Sequence, residues 1–90
     1  MNFVFIASQF TSQEAMNLAN LLMNFIKVQE ELQEASSLKA RDQILHRARR
    51  LAAELKAPPW NISIDMLSDI CDSLADWQYQ ISNWMAKNYP

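Results

Sequence analysis

The stretch from Glu14 to Leu32, EAMNLANLLMNFIKVQEEL, constrains the fold more than any other part of the chain. Placed on a helix at about 100° per residue, Asn17, Asn20, Asn24, Lys27, Glu31 and Glu34 form one narrow polar stripe. The rest of the circumference carries Ala15, Met16, Leu18, Ala19, Leu21, Leu22, Met23, Phe25, Ile26, Val28 and Leu32. A surface helix needs an apolar arc of only about 100°, and this arc is roughly twice that. Such a helix has to be covered from more than one side, by other helices of the same chain, by a second copy or by a partner.

Ninety residues make one domain, so 1–90 reads as a single helical unit. A chain of this length buries only about 60–65% of its unfolded surface, which leaves a marginal core. Half of the residues are hydrophobic, which argues against disorder. Glycine is absent altogether. Tight β-hairpin turns call for glycine or Asn-Gly, so the composition favours helices joined by simple bends. A net charge of −2 draws the chain toward neither nucleic acid nor a bilayer. The single Cys71 excludes an internal disulfide, and no zinc-type Cys/His spacing occurs. The expectation is a reducing, cytoplasmic setting with no cofactor.

Three helices are predicted, over 12–34, 37–57 and 63–87, packed as an antiparallel bundle. Thr11-Ser12-Gln13-Glu14 has the form of a capping box that starts the first. Ser36-Ser37 offers an N-cap for the second. With no glycine or proline at that junction, one helix over 13–57, paired with 63–87 in a dimeric bundle, is the alternative. Leu38, Leu45, Ala48, Ala52 and Leu55 line the apolar side of the second helix. Pro58-Pro59 stops it, because proline lacks the N–H and restricts its predecessor. Ser63 is the N-cap of the third, with Ile62 and Leu67 placed as a hydrophobic staple. Leu67, Ile70, Leu74, Trp77, Ile81 and Trp84 then continue as a 3-4-3-4-3 seam. Leu22, Phe25, Leu45, Leu74, Trp77 and Ile81 are the expected core. The apolar start Met1–Phe10 lacks the basic residues and length of a secretory signal, and is too short for the roughly 20 residues of a membrane span. It reads as an arm over the bundle: Phe3, Ile6 and Phe10 fit a helical face, whereas Phe3, Phe5 and Ala7 fit alternation. Such an arm can also swap onto a neighbouring copy.

Three surfaces are candidates for binding. Met16, Ala19, Met23 and Ile26 belong to the excess apolar arc of the first helix and are the expected self-association contact. Asp65, Asp69, Asp72 and Asp76 make an acidic row spaced 4-3-4, suited to a basic partner or to a solubilising face. One helical row supplies too few converging oxygens for a cation site. Lys39, Arg47 and Arg50 lie on the basic side of the second helix, where six basic residues oppose Asp42 and Glu54. His46 has no second ligand or nucleophile beside it, and Cys71 reads as a small buried hydrophobe.

Glu30-Glu31-Leu32-Gln33-Glu34 resembles the EExxE half of the all-α nucleotide pyrophosphohydrolases. In that family the glutamates join a later ExxD helix to hold magnesium against a nucleoside triphosphate. The resemblance would set Asp69-Ile70-Cys71-Asp72 in that second role, with aspartate where the family has glutamate. In an up-down-up bundle, however, Glu34 and Asp69 are offset by about 25 Å along the helix axes. A dimer with antiparallel contacts would be needed to bring them together.

The sequence therefore describes a small helical protein–protein interaction module: an adaptor, regulator, inhibitor or assembly subunit. A protein partner, a homodimer and no membrane span are expected. The alternatives are a magnesium-dependent nucleotide hydrolase of the kind just described, and a nucleic-acid-associated regulator using the basic second helix.

Overall fold

Local hydrogen bonds set the element boundaries. In the computed structural model, which describes residues 2–89, Thr11 Oγ1 accepts from the Glu14 N–H at 3.1 Å and Glu14 Oε1 accepts from the Thr11 N–H at 3.0 Å. This capping box starts the long helix α2 (Ser12–Glu34), which follows a short helix α1 (Phe3–Ala7). Ser37 Oγ accepts from the Ala40 N–H and opens α3 (Leu38–Lys56), with Ala35 to Ser37 non-helical before it. The continuous helix over 13–57 is thereby overturned. Ser63 Oγ caps α4 (Ile64–Asp72), and α5 (Leu74–Asn88) follows after one residue. Among the described residues there is no strand.

Between α3 and α4 the chain reverses without glycine. Asn61 takes φ 51°, the left-handed region that asparagine tolerates better than most residues. Its N–H donates to the Ala57 carbonyl, and the Ile62 N–H donates to Leu55. Ile62 and Leu67 are both buried, as a staple requires.

α2 and α3 form an antiparallel hairpin. Rising numbers on α2 meet falling numbers on α3: Glu31 pairs with Arg47, and the Leu32 carbonyl accepts from Arg41 Nη1. The third helix expected over 63–87 is instead two helices that fold back on each other at Ser73. The Ser73 N–H closes α4 by donating to Ile70, and its carbonyl opens α5 by accepting from Trp77. Trp60, just before α4, stacks edge-on against Phe10 at 5.4 Å. Tyr89, just after α5, reaches the Ser12 carbonyl at 3.5 Å. Both ends of the pair thus lie at the N-terminal end of α2. A straight helix over 63–87 would be about 37 Å long and could not return there.

The reversal has its own clamp. Trp77 Nε1 donates to Asp69 Oδ2 at 3.1 Å, across eight residues. On a straight helix those residues would be separated by about 12 Å of rise.

The wide apolar arc of α2 is covered within the chain. α3 packs along one side, α4 and α5 along others, and α1 lies across α5 and α2. One buried cluster contains Phe3, Ile6 and Ala7 of α1, six residues of α2 from Ala15 to Ile26 among them Leu18 and Leu22, Leu55 of α3, and Ile62, Leu67, Ile70, Trp77 and Ile81. Leu22, Phe25, Trp77 and Ile81 are buried as expected, but Leu45 and Leu74 are only half-buried. The N-terminal arm is helical, and its buried residues are those of a helical face; Met1 lies outside the described residues. Phe3 is sealed by an edge-on contact with Trp84 at 5.4 Å and by its N–H, which donates to Gln80 Oε1.

Candidate interaction surfaces

The residues expected to mediate self-association are largely used inside the chain. Ala19 and Ile26 are both 0% exposed, and Met16 and Met23 are half-buried. The reason is α1 and α5. Their packing on α2 covers the arc that the three-helix expectation left open, so Ala19 and Ile26 cannot meet a second copy without opening the core.

The acidic row is broken up by the turn at Ser73. Asp65 and Asp72 are exposed on α4. Asp69 accepts from the Trp77 indole and has a structural role. Asp76 lies on α5 and accepts from Gln80 Nε2, whose carbonyl oxygen in turn holds the Phe3 N–H. It therefore helps to orient the residue that docks α1. A row of aspartates at helical spacing gives no sequence signal for the Trp77 contact, which depends on the reversal, whereas Asp76 and Gln80 are an ordinary i,i+4 pair within α5.

The basic set also divides. Lys39 is exposed in the first turn of α3, two turns from the others. Arg47 and Arg50 line a groove of about 350 Å³ between α2 and α3, together with Lys27, Asn24, Glu31, Val28 and Leu51. Lys27 was not distinguishable from the general polar stripe of α2 by sequence; its relation to Arg50 emerges only from the hairpin register. Glu31 accepts from Arg47 Nη2.

On the opposite side of the hairpin lies a second groove of about 310 Å³. Phe25 and Gln29 of α2 form its floor, Ala48 and Ala52 of α3 one wall, and Ile64 and Leu67 of α4 the other. Arg49 stands on the α3 side and Asp72 on the α4 side. Two small residues on α3 and the absence of close α3–α4 packing keep this groove open. Beyond the groove, nearer the α2–α3 turn, α3 carries Leu45 and Leu38. Leu38, Leu45 and Ala52 recur every seven residues on α3, so they share one side. Leu38 is 86% exposed and Ile64 68%, while Leu45 and Leu32 are half-buried. Only Ala48 and Leu55 of α3 are buried, against seven residues of α2. From the sequence, Leu45 is a core residue and Leu38 lies on the apolar side of the second helix; with the third helix folded back at Ser73, nothing among the described residues buries Leu38.

Chemistry at single residues is weak. The Cys71 thiol is pushed up by burial and by the Asp72 carboxylate, so it stays protonated near neutral pH. His46 is exposed. The carboxylates of the pyrophosphohydrolase-like reading are not gathered. Among the described residues, no three His, Cys, Asp or Glu side chains come together in a way that would hold a metal ion. Among those residues, too, no helix is long and apolar enough to cross a membrane. No protein-family model, curated protein or solved structure matches the chain.

Proposed function

We propose that the chain is a self-associating interaction module in which a second copy covers the open side of the α2–α3 hairpin. The observation that supports this most directly is the apolar groove with opposite charges on its two walls, Arg49 on α3 and Asp72 on α4. A twofold interface brings the same patch against itself, so it needs apolar surface in the middle and both signs at the edge. This patch has that layout. Leu38 and Ile64 would be the residues removed from water, and Arg49 of each copy would face Asp72 of the other. The apolar contacts would supply the affinity, and the exposed ion pairs chiefly the register.

Sedimentation equilibrium at micromolar concentration tests the reading. The parent is expected to be dimeric. Changing Leu38 and Ile64 together to glutamate should give a folded monomer, because both side chains are exposed in the single chain. Tyr79→Glu, an equally exposed site on α5, should leave the dimer intact. Arg49→Asp or Asp72→Arg alone should weaken association, and combining them should restore it. A parent that remains monomeric, or a Leu38/Ile64 variant that keeps the parent's mass, overturns the proposal.

A further inference from the structure

The groove on the other side of the hairpin differs in chemistry from the apolar one. Lys27 comes from α2, and Arg47 and Arg50 from α3. They converge although the chain as a whole carries a net charge of −2. One carboxylate, Glu31, stands among them, and it engages Arg47. That is the one ion pair among the described residues, so Lys27 and Arg50 have no carboxylate partner there. Between the cations lie Val28, which is 5% exposed, and Leu51, which is half-buried. They give the groove an apolar floor. Its shape, cationic at the edges and aliphatic at the bottom, comes from the antiparallel register: four residues separate Lys27 from Glu31 and three separate Arg47 from Arg50, so each helix presents its charges on one side.

We infer that this groove is a docking site for an acidic peptide segment of a partner protein, with an aliphatic side chain seated on Val28 and Leu51 and flanking carboxylates on Lys27 and Arg50. Glu31 gives the site a restraint. It occupies one nitrogen of the Arg47 guanidinium and leaves the remaining donors of that planar fork available. It also repels an incoming carboxylate, and so favours ligands whose charges bracket the centre of the groove. A nucleic acid fits less well. The groove offers no aromatic face for a base, and Glu30 and Glu34 interrupt any basic track toward the end of α2.

Fluorescence anisotropy is the test, with a labelled pentapeptide in which leucine is flanked on both sides by glutamates. A glutamine counterpart, a counterpart with serine at the centre and a labelled single-stranded RNA serve as comparisons. The glutamate–leucine peptide should bind most tightly, and its affinity should fall as salt is raised. Lys27→Glu combined with Arg50→Glu should weaken binding by about tenfold or more. Glu31→Gln should strengthen it by about two- to threefold, since it removes a repulsive charge and frees Arg47; a merely structural role for Glu31 would give no gain. Lys27, Glu31 and Arg50 are exposed, and circular dichroism should show the parent's helicity in each variant. The same binding should persist in the Leu38/Ile64 variant, which separates this site from the proposed dimer contact. Tighter binding of the RNA, equal binding of the serine peptide, or indifference to the Lys27/Arg50 change would overturn the inference.

Discussion

Asp69→Ala, read through its coupling to Trp77, distinguishes an acidic surface row from a structural acceptor. If Asp69 were only one of four aspartates on a solvated face, alanine would stabilise the chain. It would relieve repulsion from neighbours three and four residues away, by about 0.2–0.5 kcal/mol per pair, and add up to about 0.7 kcal/mol of helix propensity. In the structure, Asp69 Oδ2 instead holds the indole N–H of Trp77, a residue only 2% exposed. An unpaired buried donor costs about 1–3 kcal/mol. The cleft beside it, lined by Ser63, Asp65, Met66, Asp69 and Trp77, is open enough to admit water, which sets the expected loss at the lower end of that range, about 1–2 kcal/mol. A double-mutant cycle with Trp77→Phe removes the background terms, since repulsion and propensity change equally in both backgrounds. Urea unfolding followed by circular dichroism should therefore give a coupling of about 1–2 kcal/mol, or about 4–16 °C in thermal melts of a domain this size. Asp69→Asn keeps an acceptor and should retain most of the parent's stability. A coupling within about 0.3 kcal/mol of zero would mean that the bond does not hold the reversal at Ser73.

Three further outcomes follow from burial. Phe3→Ala should cost about 3–5 kcal/mol in chemical denaturation, because Phe3 is 0% exposed and seals α1 against Trp84; a loosely attached arm would show almost none of that. Leu22→Ala, at a fully buried site, should cost about 2–5 kcal/mol, and Leu74→Ala, at a half-buried one, should fall at or below the low end. Alkylation of Cys71 by iodoacetamide at neutral pH should be slower than that of a free cysteine, should accelerate as pH rises and should become fast on unfolding, since its raised pKa lowers the thiolate fraction.

Features written in consecutive residues were legible in advance. The Thr11–Glu14 box, the Ser37 and Ser63 caps and the break before Leu38 all rest on side chains that bond within a turn of their own position. The width of the α2 arc correctly demanded cover on several sides. What supplied that cover was less accessible. The seam from Leu67 to Trp84 continues in register through Ser73, with no glycine or proline to interrupt it. The reversal is held by Trp77 on Asp69 and by the docking of α5 on α1, contacts that no local pattern announces. Missing it displaced the third helix and hence the unburied surface: Ala19 and Ile26 lie inside, while Leu38, on the apolar side of the second helix, is left outside. The pairing of Lys27 with Arg50 was hidden for the same reason, because it depends on hairpin register and not on spacing within one helix.

The contact between Phe3 and Gln80 spans 77 residues of chain. The peptide emerges from the ribosome at about 5–20 residues per second, so α1 waits about 4–15 s for the helix it packs on. Through that interval the α2–α3 hairpin can already form, since it is local in sequence, yet the side of α2 on which α5 packs has no cover until α5 arrives. A surface that the finished molecule hides is therefore one that the nascent chain displays for seconds. For those seconds its safety depends on chaperones and on dilution, and overexpression, which crowds nascent chains together, is the condition in which that exposed face would trap one copy against another.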